Sequence, residues 1–361
     1  MAIKDLVNPH IRDLAPYEPG KPMETLEREL GIASSVKLAS NENPIGPSPK
    51  AIEALRSRLD EVNRYPDGAC FELRTRLSQK LGVSERQLVF GCGGDEILEL
   101  WMKTFVAPGD EVIMPWPSFA MYPIVVKGMG GKVVNVPLRE DFSHDLDGML
   151  DAITERTKVI FICNPNNPTG TSIGAKEFES FVDRLPRDIV LAVDEAYYEF
   201  VRRKDFPRTI EMFDKRPEML VLRTFSKIYG LAGLRIGYGI GNEETIGYLE
   251  RARHPFNVNR LAEFAALAAL DDDEHVKKTL EINSSGIDYL TRELTALGVE
   301  VSPTDTNFLL AKGGANIYDE LLRRGVIVRP MAGFGLPEHV RISIGLPEEN
   351  ERLVNALREF A

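Results

Sequence analysis

Cysteine is scarce in this chain of 361 residues: Cys70, Cys92 and Cys163 are the only three. Odd in number, far apart and in no paired-ligand spacing, they indicate neither a disulfide framework nor a zinc site, and they read as reduced and buried. The five histidines (His10, His144, His254, His275, His339) also lack ligand spacing, so no metal is expected, and "DDDEH" at 271–275 reads as a solvated loop or helix start. Long hydrophobic runs are missing too. The opening "MAIKDLVNPHIRDLAPYEPGKP" has no uninterrupted apolar core of the kind a signal peptide needs, and no stretch approaches the length of a membrane span. A cytoplasmic protein without membrane contact is expected. Positive charge is in the minority, with 44 basic against 55 acidic residues and a net charge of -11. That balance argues against a broad nucleic-acid-binding surface and leaves room for local cationic pockets.

What is present is ordinary globular material, 43% hydrophobic and 27% charged, in a length that suggests two domains. The first 40 residues or so, rich in Pro, Gly and Asn, read as an extended arm carrying one short helix, "METLERELG", and packing with a smaller domain. Residues 41–250 then alternate short apolar runs ("QLVFG", "DEVIMP", "KVVNVPL", "TKVIFIC", "DIVLAVD", "EMLVLRTFS") with helical periodicity, as in "GGDEILELWMKTFV". Runs apolar on both faces and separated by helices predict an α/β domain whose mainly parallel sheet is flanked by helices. Residues 251–361 change character. Two helical segments precede strands "NFLLAK", "VIVRP" and "HVRISIG" and a closing helix, which predicts a second, smaller α+β domain.

In an open parallel sheet, ligands bind beyond the carboxyl ends of the strands, so polar residues at those ends are the ones to weigh. "LVFG" runs into "CGGDE", "VIFIC" into "NPNNPTG", "IVLAVD" into "EAYY" and "MLVLRT" into "FSKIYGLAGLR". Each alone has a bland explanation. "GCGGDE" is a tight turn that fails the dinucleotide fingerprint, because Glu96 stands where the third glycine belongs. "NPNNPTG" is a turn, Asp194 a cap or ion-pair partner, Lys227 a surface lysine. Together they supply complementary chemistry: an anion cradle (backbone at 93–95, Thr224, Ser226, Arg235), a buried carboxylate (Asp194), two donors (Asn167, Tyr197) and an amine (Lys227). Pyridoxal phosphate needs all of these, with its phosphate in the cradle, its ring nitrogen against Asp194, its phenolate oxygen facing Asn167 and Tyr197, and its aldehyde joined to Lys227. For that joining the lysine must lose its proton near neutrality, and burial with a nearby cation such as Arg235 is the expected cause.

The segments "NPNNPTG", "DEAYYEF", "TFSKIYGLAGLRIGY" and "VRISIG" resemble, in the same order, the signatures of the fold-type I pyridoxal-phosphate aminotransferases. "PYEPGKP", "KLASNENPIGPSP", "NRYPD" and "GCGGDE" further resemble that family's histidinol-phosphate branch. The resemblance implies Lys227 as the Schiff-base lysine, with Asp194 and Tyr197 beside it in the catalytic set, and Gly94, Asp95, Ser226 and Arg235 as phosphate holders. Phe119 falls where many relatives carry a ring-stacking tyrosine, so a phenyl can stack there but cannot donate a hydroxyl. Tyr65 is implied to reach the cofactor phosphate of the other subunit in a homodimer. Arg341 is implied to take the substrate's α-carboxylate, Arg329 with Tyr17 the phosphate of histidinol phosphate, and Asn43 to contact substrate. The implied reaction exchanges an amino group between glutamate/2-oxoglutarate and histidinol phosphate, in histidine biosynthesis. An aromatic amino-acid aminotransferase and a threonine-phosphate type decarboxylase share the cofactor site and remain open at this point, as does a cofactor-sensing regulator, which the non-basic N-terminal arm disfavours.

Overall fold

The computed structural model describes residues 2–12, 14–16 and 20–360. Its strands in chain order are β1 (Val36–Leu38), β2 (Leu88–Gly91), β3 (Glu111–Trp116), β4 (Lys132–Pro137), β5 (Thr157–Cys163), β6 (Val190–Asp194), β7 (Met219–Thr224), β8 (Gly237–Gly241), β9 (Glu300–Val301), β10 (Phe308–Lys312), β11 (Val326–Pro330) and β12 (His339–Ser343). Seven of them form one sheet in the order β2-β8-β7-β6-β5-β3-β4. All its pairings are parallel except those of β8, which runs antiparallel to both neighbours. The six apolar runs picked out above are therefore six of these strands. The fourth ligand-bearing end, that of β2, is separated from the other three by β8, yet two successive reversals return β2 to the direction of β7. Its carboxyl end thus opens on the same edge.

This sheet is buried on both faces, and the side chains show it strand by strand. Along β5, Ile160 and Ile162 enter one apolar cluster while Val159, Phe161 and Cys163 enter the other. Met219 and Val221 of β7 follow the first, Leu220 and Leu222 the second. Alternation across a pleated strand does this automatically, and continuous apolar sequence is its consequence. Cys70 and Cys163 are buried as expected, but Cys92 is exposed, because it sits in the turn that leads into the helix Gly93–Phe105.

The smaller sheet has the order β1-β11-β12-β10-β9. Its core gathers Val36 and Leu38 from the N-terminal arm with Leu290, Leu309, Val328 and Ile342 from the far end of the chain. The arm does more than lie alongside: β1 pairs in parallel with β11, Val36 opposite Val326. The short helix expected there is Met23–Leu30, whose Leu26 is buried with Ala39 and Ile327. Packing carries the large unit beyond residue 250, since the helix Arg260–Leu270 buries Ala262, Ala265 and Ala269 with Leu73 and Leu77 against the large sheet. "DDDEH" does start a helix, Asp273–Ala296, capped by Asp272. It is not solvated throughout, as both Asp272 and His275 are buried.

Candidate active site

A cleft of about 290 Å³ opens at the carboxyl edge of the large sheet. The sequence-predicted residues Gly94, Asp95, Phe119, Asn167, Asp194, Tyr197, Thr224, Ser226, Lys227, Arg235, Arg329 and Arg341 all line it. Two others, Tyr65 and Asn43, are not among its lining residues. Tyr17 lies outside the described residues. Tyr65 is 79% exposed and stacked on Phe256 with ring centres 4.9 Å apart, outside the cleft. Asn43, expected to contact substrate, is instead occupied in holding the chain: its Nδ2 donates to the Ile228 carbonyl at 2.9 Å and to Thr279 Oγ1 at 3.1 Å.

The loops reach the cleft because each is braced by its own side chains. In the turn after β5, the Asn164 backbone N–H donates to the Asp194 carbonyl, Asn164 Oδ1 accepts from the Ile173 amide at 2.8 Å, and Asn166 Oδ1 accepts from Ser118 Oγ at 2.8 Å. After β7, Thr224 Oγ1 accepts from the Ser226 amide at 3.0 Å, which turns the chain so that Ser226 and Lys227 face the cleft. Gly230 has φ +68° and lies so near the Gly46 carbonyl that a Cβ would overlap it, so the lysine loop closes down on the segment around Gly46 only with glycine there.

The predicted anion cradle has a distinctive backbone geometry. Gly93 has φ +78°, and any Cβ on it would overlap the Arg235 guanidinium. Arg235 itself adopts φ 56°, rare for a residue with a side chain, and its Nη2 donates to Asp95 Oδ2 at 3.1 Å. A guanidinium is thereby held over the first turn of the helix Gly93–Phe105, whose leading amides have no partner within the helix.

Asp194 is buried, and its oxygens accept from Tyr122 Oη at 2.7 Å and from the Ala196 amide at 3.0 Å. Burial pushes its carboxyl up to about 6 despite both bonds. A carboxylate so placed gains most from a positive partner, and a protonated ring nitrogen is one. Burial likewise pushes the Lys227 amine down to about 8; the next cause is Arg341, and Arg235, the cation expected from sequence, contributes less. Next to Asp194, Glu195 is fully buried and paired with Arg223 at 2.8 Å, with Thr209 Oγ1 donating to its other oxygen at 2.6 Å, which anchors the end of β6.

Arg329 and Arg341 come from neighbouring strands of the smaller sheet, directly opposite one another in the β11–β12 register. Both alternate with core residues, Val328 on one strand and Val340 with Ile342 on the other, so both point away from the small core and into the cleft. Arg341 Nη1 donates to Asn167 Oδ1 at 2.5 Å and Nη2 to the Ala39 carbonyl at 2.7 Å.

The sequence reading missed a buried residue behind the cleft, Tyr122, and one that lines it, Asn41. Tyr122 lies three residues after Phe119, touches it edge-on at 5.6 Å, and stacks flat on Phe161 at 4.5 Å, which aims its hydroxyl at Asp194. Its signal was only a tyrosine one helical turn beyond a flagged aromatic. Asn41 lies two residues before Asn43, and it is Asn41 that reaches the cleft, donating from Nδ2 to Tyr197 Oη at 2.8 Å.

A parallel sheet whose strand ends converge a shifted lysine, a buried carboxylate and an anion cradle on one cleft defines a transferase of the pyridoxal-phosphate class, and the chain belongs to the class I and II aminotransferase family, whose model matches residues 33–357. Among its relatives, the histidinol-phosphate aminotransferase of Akkermansia muciniphila is 47% identical over 99% of this chain and 99% of its own. Histidinol-phosphate aminotransferase 1 of Nitrosococcus oceani is 46% identical over 96% of this chain and 94% of its own. Among solved structures, histidinol-phosphate aminotransferase from Sinorhizobium meliloti, in complex with pyridoxal-5'-phosphate, superposes with a TM-score of 0.89 at 29% identity, covering 98% of both chains.

Proposed function

We propose that this chain transfers the amino group of L-glutamate to imidazole acetol phosphate, giving L-histidinol phosphate and 2-oxoglutarate, a step of histidine biosynthesis, with pyridoxal 5'-phosphate as cofactor. The observation that carries this is the opposed pair Arg329–Arg341 beside Lys227 in one cleft. The substrates alternate between one with two carboxylates and one with a phosphate, so the same pocket must take different anions. Guanidinium groups suit carboxylate and phosphate alike because their planar fork of donors matches both.

Bound pyridoxal phosphate supplies an electrophilic carbon and a conjugated ring that accepts an electron pair. The chain's own residues do the rest. Lys227, held near pH 8 by burial, presents a neutral amine often enough to bond the cofactor and then to carry a proton at Nζ to and from the substrate carbon. Asp194, oriented by Tyr122, keeps the ring nitrogen's proton in place. Asn167 and Tyr197 donate to the phenolate oxygen. Ser226, Thr224, Arg235 and the amides of Gly94 and Asp95 hold the phosphate, with Phe119 against the ring. Arg341 takes the α-carboxylate and Arg329, with Tyr17, the substrate phosphate.

This reading includes a homodimer in the cytoplasm, in which the exposed Tyr65 reaches the partner's cofactor phosphate. Leu59, Val62, Tyr65 and Phe71 are exposed apolar residues in one stretch, the kind of patch a second copy covers. No helix of the described residues is long and apolar enough to cross a membrane. The deciding assay compares kcat/KM for histidinol phosphate, phenylalanine and tyrosine, each with 2-oxoglutarate. A preference of about a hundredfold or more for histidinol phosphate is expected; equal rates with the aromatic amino acids would remove the phosphate from the argument.

A further inference from the structure

Both residues read as donors to the cofactor's phenolate oxygen are themselves gripped from the side of the smaller sheet, and one of the grips has a consequence for the chemistry. Tyr197 Oη accepts from Asn41 Nδ2 at 2.8 Å. Asn41 in turn makes three further bonds: its amide N–H donates to Ser343 Oγ at 2.8 Å, its Oδ1 accepts from the same hydroxyl at 3.0 Å, and its carbonyl accepts from Asn307 Nδ2 at 3.0 Å. Ser343 closes β12 and Asn307 immediately precedes β10. Asn41, Tyr197, Asn307 and Ser343 are all buried, and the backbone of Asn41 is left-handed, with φ 54°.

The Ser343 hydroxyl has one proton, which goes to Asn41 Oδ1, so the amide's oxygen faces Ser343 and its NH2 faces Tyr197. A tyrosine hydroxyl that accepts from an amide cannot also donate to it. Its own proton is left for another acceptor, and bonding at the oxygen polarises the O–H into a stronger donor.

We infer that Asn41 is a positioning residue for the reaction, one that fills the acceptor side of the Tyr197 hydroxyl and so aims its proton at the cofactor's phenolate oxygen, from an anchor on the smaller sheet. Burial raises the Tyr197 hydroxyl's pKa, and the Asn41 bond works against that rise, as a bond that strengthens a donor should. The inference rests on the reading of Tyr197 as a donor to that oxygen.

The test is a pH titration of the holoenzyme's visible absorbance, which follows proton binding at the nitrogen shared by cofactor and Lys227. Withdrawing a donor leaves more charge on the neighbouring phenolate oxygen, so that nitrogen holds its proton to higher pH. Tyr197→Phe is expected to raise the midpoint by about one pH unit, the worth of one hydrogen bond to a charged group. Asn41→Gly, which keeps the left-handed backbone without strain, is expected to raise it by about half a unit or more. The double variant should go no higher than Tyr197→Phe alone. Ser343→Ala, which loosens the anchor and leaves the Asn41–Tyr197 pair in place, should give a smaller rise in the same direction. An unchanged or lowered midpoint in Asn41→Gly beside a raised one in Tyr197→Phe would overturn the role of Asn41, a lowered one meaning that the tyrosine gives its proton to the amide. An unchanged midpoint in Tyr197→Phe would instead remove the donor role of Tyr197 itself, and the inference with it.

Discussion

The two sheets contribute to one cleft in different ways. The large sheet brings groups that are buried and shifted, Lys227 down to about 8 in the turn after β7 and Asp194 up to about 6 as the last residue of β6. The smaller sheet brings the guanidinium groups of Arg329 and Arg341, which depend on register to face the cleft. One side tunes reactivity by withholding water; the other recognises anions by geometry. A substitution on the large-sheet side should therefore stop the chemistry, and one on the small-sheet side should change which substrate is bound.

The largest effect expected is at Lys227. Lys227→Ala should cut kcat by about 10⁴-fold or more and abolish the absorbance of lysine-bound cofactor while leaving the protein folded; turnover retained in that variant would break the division at its centre. Asp194→Asn should keep its cofactor through dialysis and lose about 10³-fold in kcat, and a near-normal rate would deny the carboxylate its part. Arg329→Ala sharpens the other half. Its KM for histidinol phosphate should rise about a hundredfold, the cost of removing a guanidinium from a charged contact with the substrate phosphate, and its KM for glutamate much less; equal rises would mean that Arg329 does not distinguish phosphate.

The pH dependence of the apoprotein is a milder test. The Asp194 carboxyl lies above its unfolded value of 3.8, so folding favours its protonated form. The stability this confers is complete below pH 3.8 and lost as pH rises through about 6, a change of roughly 3 kcal/mol. Cofactor, by offering a positive ring nitrogen, should restore more stability at pH 7.5 than at pH 5, which melting curves with and without it will show. The smallest effect belongs to Phe119→Tyr. The ring already packs edge-on against Tyr122, and a hydroxyl added at the cleft should alter kcat/KM by no more than about threefold. A larger gain would identify a polar contact that this chain forgoes.

Much of the large-sheet side was readable because its determinants are local. A strand buried on both faces must be apolar throughout, so polar residues at its end stand out, and "VIFIC" before Asn167, "IVLAVD" at Asp194 and "MLVLRT" before Lys227 announce themselves. The smaller sheet offered less. Three of its five strands were visible, but that β1 joins them from the N-terminal arm, 290 residues away in the pairing Val36–Val326, is a contact no local pattern encodes. The same holds for the exchange of Asn43 for Asn41: two asparagines two residues apart, of which one braces Ile228 and Thr279 and the other reaches Tyr197.

The sequence by itself determined nine of the twelve strands, where the carboxyl ends of β2, β5, β6 and β7 fall, and that an amine, a carboxylate and an anion cradle lie at those ends, because periodicity and turn chemistry act over a few residues. Tertiary structure alone decided how far burial shifts Lys227 and Asp194, which cation stands beside the lysine, and which side chains orient Asp194 and Tyr197. Desolvation and hydrogen-bond geometry depend on atoms brought from distant parts of the chain, and their strength changes over ångströms that no spacing in the sequence records.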